Sequence, residues 1–227
     1  MSYTLRELTA NPGNYGGART AGEIRYLVFH YTGNAGDTAA DNAAYFQRTV
    51  VQASAHYFVD DGEVYRSVPD LRAAWAVGGG KYPGAGQTGG GTMHGIITNT
   101  NSLSVELCGT AGNGSREASE ATLANAVALG RELMARYGIP LDHVYRHFDV
   151  TGKLCPAYLT DAQAWAAFKQ RLALDNTPSP AHREGVEWAV ANGLLRGNAS
   201  GDLMLSRLVT REQLCTMLHR LARNMEQ

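Results

Sequence analysis

The stretch that most constrains this chain runs from His143 to Pro156. A short apolar run leads into His147. A turn from Asp149 to Gly152 follows, then Lys153, then a cysteine, Cys155, backed by Pro156. An imidazole and a thiol are borderline-soft donors, the kind zinc prefers. Two donors do not hold a catalytic zinc; a third is needed, with the fourth position left to water. His30 is the candidate, because it ends another buried-strand pattern, Ile24-Arg25-Tyr26-Leu27-Val28-Phe29-His30. Histidines at the ends of neighbouring strands converge on one edge of a sheet. The spacing alone leaves a second reading open. A histidine after an apolar run also serves as a hydrogen-bonded core residue, and one His and one Cys eight positions apart lack the closer pairs of familiar zinc signatures.

Three further stretches accompany this one: Tyr26 to Thr32, Ser54 to Gly62 and Ser102 to Cys108. Together with Arg146 to Asp149 and Lys153 to Pro156, in that order, they resemble the zinc-dependent N-acetylmuramoyl-L-alanine amidases. These belong to the peptidoglycan-recognition-protein and phage-lysozyme superfamily. The resemblance covers about residues 20–172. It implies that His30, His147 and Cys155 are ligands of a Zn2+ cofactor and that Glu106 and Lys153 are catalytic. It implies peptidoglycan as the partner, cut at the amide between N-acetylmuramic acid and L-alanine. A cysteine at 155, where many relatives carry aspartate, is similar to the phage-lysin branch. Relatives usually place a histidine directly after the tryptophan matched by Trp75; here Ala76 stands there, and His94 is the nearby residue that could substitute.

Glu106 carries its own argument. It sits between Val105 and Leu107 in an apolar strand, and a buried charge needs a partner or a task. A structural ion pair and a catalytic carboxylate both answer that. Asp149 could orient a ligand histidine as an acceptor, or simply make the turn. His56 alternates with Tyr57 across a strand, so only one of them can face the pocket; His56 is expected near the metal site but outside its ligands.

The chain has 227 residues, enough for one good core with some left over, and a net charge of −1. Balanced charge argues against a nucleic-acid binder. No apolar run approaches the roughly 20 residues of a membrane span. Met1 to Glu7 shows no basic region followed by an apolar one. That predicts synthesis in a bacterial cytoplasm and action on the wall after release, as for a phage endolysin, with an unusual bacterial autolysin as the alternative. Three cysteines make no even disulfide framework; Cys108 and Cys215 are expected to be small core residues.

In order, residues 1–23 read as an extended leader on the surface. A strand over 24–30 is followed by a helix from Asp37-Thr38 to about Arg48. A hairpin turns at Asp61-Gly62. The glycine-rich run 78–92 is expected to be a mobile loop beside the substrate groove. A central strand covers Leu103 to Leu107, and an amphipathic helix covers Thr122 to Tyr137, stopped by Gly138 and Pro140. Thr160-Asp161 caps a helix through about Leu172. The predicted fold is mixed α/β: a central β-sheet flanked by helices, plus a small C-terminal helical domain. The domains are 1–174, catalytic; 175–181, a linker; and 182–227, two helices joined by a turn-rich connector.

This tail resembles one S-layer-homology motif, through Val186-Glu187-Trp188-Ala189-Val190, Gly193-Leu194, Gly197, and Leu208 to Gln213. The resemblance implies binding to a cell-wall polymer. A piece this short sits near the lower limit for folding alone, so docking on the catalytic domain, dimerisation or another copy is expected to complete it. Two rival readings remain at this level: a module that recognises peptidoglycan without cutting it, and a cysteine hydrolase with Cys155 as nucleophile.

Overall fold

The computed structural model describes residues 3–173, 176, 178–197, 202–205 and 209–225. It divides into two compact units, Met1–Leu172 and Ala173–Gln227. In chain order the elements are β1 (Thr4–Glu7), β2 (Tyr15–Ala18), β3 (Tyr26–Tyr31), α1 (Ala39–Arg48), β4 (Tyr57–Val59), β5 (Glu63–Arg66), β6 (Arg72–Ala74), α2 (Ala85–Thr88), β7 (Ser102–Leu107), α3 (Glu120–Tyr137), β8 (Val144–Arg146), α4 (His147–Thr151), α5 (Ala162–Ala173), α6 (Arg183–Ala191) and α7 (Arg211–Met225).

A six-stranded mixed sheet runs β1-β5-β4-β7-β3-β8, and β2 pairs with β6 in a second, two-stranded sheet. β4, β7, β3 and β8 are mutually parallel, while β4 and β5 form the antiparallel hairpin expected at Asp61-Gly62. Asp60 Oδ1 accepts from Gly62 N and Glu63 N, which closes that turn.

The strands at the centre of the sheet are buried on both faces, and side chains alternate between those faces. Leu27 and Phe29 of β3, with Leu103, Val105 and Leu107 of β7, pack against Ala126, Leu129 and Leu133 of α3 and Phe168 and Leu172 of α5. The alternate positions, Val28 and His30 of β3 and Ser104 and Glu106 of β7, take the other face. Hydrophobic burial on the first face therefore fixes which polar groups meet on the second. Ser119 caps α3 by accepting from Thr122 N, and Gly138 ends it. Thr38 caps α1 in the same way through Asp41 N.

The leader expected to lie on the surface is built into the fold instead. β1 forms one edge of the main sheet against β5, and β2 pairs with β6. Asn14 and Arg19 are buried, and the Asn14 side chain bonds four backbone groups between Phe46 and Gln52. The composition of this segment did not reveal the pairing, because its partners lie nearly 60 residues away in sequence.

In the second unit, Thr210 N and Gln213 N exchange bonds with each other's side chains at the start of α7. Arg220 donates to Leu194 O, and Asn224 to Asn192 O. Leu194 is buried, but Trp188, Val190, Leu214 and Leu218 are exposed. Cys215, expected in a core, is exposed on α7, while Cys108 is buried. Asp175 and Thr177 of the linker, Asn198 to Gly201 of the connector, and Leu208 lie outside the described residues. No described helix is long and apolar enough to cross a membrane.

Candidate active site

Register brings the first pair together. His30 and Glu106 are Cα partners across β3 and β7. β8 pairs with β3 as far as Phe29 and Arg146, so the next residue, His147, opens α4 beside His30. The two Nδ1 atoms lie 3.1 Å apart. The chain then folds back: Phe148 N donates to Cys155 O at 2.9 Å. Cys155 Sγ ends 4.0 Å from His30 Nδ1. The three buried side chains offer donor atoms that all lie within 4.8 Å of one another. Glu106 Oε1 is 3.8 Å from His30 Nδ1.

Arg146, to which the sequence pointed no role, ties this loop together. Its guanidinium bonds both oxygens of Asp149, at 3.0 and 2.6 Å. It donates to Leu159 O at 2.8 Å and Thr160 O at 2.9 Å. It also lies over the Phe148 and Trp165 rings. The residues flanking Cys155 on both sides are thus pinned to one cation. Asp149 does not orient a ligand histidine; its acceptors are taken by Arg146, including the backbone N–H at 2.8 Å. The available signal was the Arg-x-x-Asp spacing at a helix start, where a carboxylate three residues in caps the first turn.

Burial sets the protonation states. It drives the His30 pKa well below the usual imidazole value, with His147 adding to the effect. It lowers His147 to about 4, with Lys153 adding. Both rings are therefore neutral, the form that binds metal. Burial pushes the Cys155 thiol up to about 12, and Glu106 adds to that. Burial also raises Glu106 to about 7, with Lys153 opposing and Asp37 reinforcing. The Glu106 side chain keeps 19% of its exposure, so it is desolvated yet reachable. His30 Nε2 and Glu106 Oε2 are buried with no hydrogen-bond partner.

This donor set fits a tetrahedral metal ion. Bonds of about 2.05 Å to nitrogen and 2.3 Å to sulfur at tetrahedral angles imply N···N near ~3.3 Å and N···S near ~3.6 Å. The observed 3.1 and 4.0 Å bracket those values. A thiol held protonated by burial becomes a thiolate when a cation is supplied.

A cavity of about 620 Å³ opens on the cluster; His30, His147, Cys155, Glu106 and Lys153 line it together with Tyr45, Trp75 and Ala76. His56 and Tyr57 do not line it. Tyr57 donates to Asp70, and His56 belongs to a separate buried network with Arg19 and Ser104. His94 Nε2 donates to Gly79 O at 3.1 Å, and His94 is absent from the cavity wall.

Comparison with known proteins places these residues in a family context. The N-acetylmuramoyl-L-alanine amidase family matches residues 20–158. A probable N-acetylmuramoyl-L-alanine amidase of Bacillus licheniformis is 32% identical over 161 residues, 66% of this chain and 41% of that protein. The amidase XlyA of Bacillus subtilis strain 168 is 33% identical over 146 residues, 63% of this chain and 42% of that one. The chain thus spans 40–54% of the length of the curated relatives it matches. Among solved structures, PlyL superposes with a TM-score of 0.60 at 27% identity, covering 78% of this chain and 100% of PlyL. The catalytic domain of XlyA gives 0.58 at 28% identity, covering 74% and 99%.

Proposed function

The chain belongs to the N-acetylmuramoyl-L-alanine amidase family, and from that premise we propose that it hydrolyses the amide between N-acetylmuramic acid and L-alanine in peptidoglycan, using a zinc ion held by His30, His147 and Cys155. The observation that carries the reading is the meeting of three buried donors with Glu106 on one cavity wall. Bound there, zinc would supply a Lewis acid for the carbonyl and lower the pKa of water.

The chain's own residues divide the remaining work. His30 and His147 present neutral nitrogens, and Cys155 contributes a negative charge that partly offsets the metal's. Glu106 takes a proton from the attacking water and passes it to the leaving nitrogen. A carboxyl poised near pH 7 suits that exchange, since general acid–base groups work best with a pKa near the operating pH. Lys153, on the same wall, offers its ammonium to the oxygen that gains charge. The competing role for Cys155, as nucleophile, is disfavoured by its environment: it is 1% exposed, and burial holds its thiol protonated.

For the second unit we propose a wall-polymer-binding or self-associating role. The support is its resemblance to an S-layer-homology motif and its exposed apolar side chains, Trp188 and Leu218 among them.

Digestion of purified peptidoglycan, scored for new L-alanine amino termini and new reducing ends with and without a chelator, tests the main reading. Alanine termini that vanish with chelator and return with zinc are expected. Reducing ends would mean a glycosidase; alanine termini indifferent to chelator would return Cys155 to the role of nucleophile; wall binding without release would leave a recognition module.

A further inference from the structure

The glycine-rich segment 78–92 has no part in that chemistry, and none of its residues lines the catalytic cavity. It is bound instead to the turn that carries the ligands. Tyr82 N donates to Thr151 O at 2.8 Å, Gly91 N to Phe148 O at 2.9 Å, and Met93 N to Asp149 O at 2.8 Å. α4 is a five-residue helix, too short to be stable by its own hydrogen bonds. Its last carbonyls have few partners within the helix. The three outside donors meet that need.

The approach is too close for side chains. A Cβ on Gly90 would lie 2.8 Å from Gly152 Cα, 2.8 Å from Phe148 Cε2 and 3.0 Å from Phe148 O. A Cβ on Gly152 would lie 2.2 Å from Ala85 Cβ, and its φ is +83°. Backbone thus rests on backbone, directly behind the residues from His147 to Lys153.

We propose that residues 82–93 are a strut that positions the loop carrying His147, Lys153 and Cys155, with Gly90 as a positioning residue and Gly152 as its seat. The proposal rests on the reading of that loop as holding two metal ligands and a catalytic lysine. Any atom added at Gly90 pushes the turn, and a shift of about 1 Å at reacting groups costs on the order of 100-fold in rate.

The test uses the full chain with zinc, without metal, and with Co2+ in its place. Gly90→Ala is compared with wild type and with Gly86→Ala, whose added Cβ meets nothing within 4 Å. For Gly90→Ala, kcat for release of alanine termini is expected to fall roughly 10- to 100-fold with KM within about twofold. Zinc affinity, by chelator competition, should weaken about 10-fold or more, and the cobalt absorption bands should shift. Gly86→Ala should match wild type throughout. A Gly90→Ala protein that melts lower but keeps the kcat, zinc affinity and cobalt spectrum of wild type would overturn the strut and leave the segment a structural filler. If Gly90→Ala does not fold, Ala85→Gly takes its place. It removes the Cβ that faces Gly152 and adds no atom, and an unchanged zinc affinity in it would overturn the proposal equally. A wild-type protein that binds no zinc sinks the reading of the site itself, and the strut's purpose with it; that result is distinct from a wild type that binds zinc beside an unaffected variant.

Discussion

Two buried histidine clusters share one face of the main sheet, and they are built on opposite principles. Around His56 each ring nitrogen has partners. With a proton on Nε2, the ring donates to Arg72 O at 3.0 Å and accepts from Ser104 N at 3.0 Å. With the proton on Nδ1, it donates to Ser104 Oγ at 2.9 Å and accepts from Arg19 Nη2 at 2.8 Å. In either tautomer both ring nitrogens find a protein partner, and the ring accepts from one donor at a time, Ser104 N or Arg19 Nη2. Around His30 the donors face each other: two Nδ1 atoms, a sulfur and a carboxylate, with His30 Nε2 and Glu106 Oε2 unpaired. Buried polar groups without partners cost stability. The unpaired atoms of the His30 cluster support the metal site proposed above, whereas the His56 cluster is bonded within the protein.

Glu106→Gln should separate the two most sharply. Loss of the proposed general base is expected to lower kcat by roughly 100- to 10,000-fold. The melting temperature of the metal-free protein should rise, because a desolvated carboxylate has gone. His56→Ala should do the reverse. It strands whichever donor the ring accepts from, Ser104 N or Arg19 Nη2, a loss of about 1–3 kcal/mol for a buried group left unpaired, while kcat measured well below the melting temperature stays near wild type. Denaturant unfolding of both metal-free variants, beside steady-state kinetics, checks the pair. If Glu106→Gln destabilised and His56→Ala cut kcat, the division between the clusters would collapse.

The sequence showed one cluster more readily than the other for a physical reason. His30, Glu106 and His147 each end or interrupt an apolar strand, so alternation alone places them on one face of one sheet edge. Cys155 follows within the same loop. The His56 network depends on Arg19, which reaches the ring from 37 residues away and also bonds Asp70 O, Thr100 O and Ser102 O. A lone arginine in a polar, glycine-containing leader gives no periodic signal of such burial. The same holds for β1 and β2, whose partners are distant, and for the strut, where glycine reads as freedom until the atoms it must admit are known. Glycine composition predicted a mobile loop; the backbone bonds to Phe148, Asp149 and Thr151 show a docked one.

Acid should expose the His56 cluster. Burial, with the neighbouring Arg19 cation, lowers the His56 pKa from the ordinary 6.5 to about 3. The ring stays neutral in the folded protein while the unfolded chain binds a proton. Its contribution to stability is therefore complete above about pH 6.5 and is lost as pH falls from there toward 3. In His56→Asn, whose amide oxygen can accept from Ser104 N, that titration is absent. Between pH 6 and 4 the metal-free variant should lose stability less steeply than wild type, by up to about 1.4 kcal/mol per pH unit for one proton. Parallel slopes in a denaturant series would mean that the ring is already protonated in the fold, and that Arg19 does not meet it as drawn.

The smallest effect belongs to His94, which joins neither cluster. In the sequence it is the nearby residue that could substitute for the histidine that relatives usually carry where Ala76 stands. The structure leaves it exposed against Gly79 O, while Ala76 keeps the place on the cavity wall. An exposed side chain with one backbone contact contributes little, so His94→Ala should change stability by no more than about 0.5 kcal/mol and leave kcat near wild type. A fall in kcat of about 10-fold or more, some 1.4 kcal/mol of transition-state stabilisation, would show that residues 92–96 close over the cavity when substrate binds. The catalytic set would then extend past the cluster that β3, β7 and α4 assemble, and the contrast between a satisfied histidine and a waiting one would need a third class: a histidine recruited by substrate.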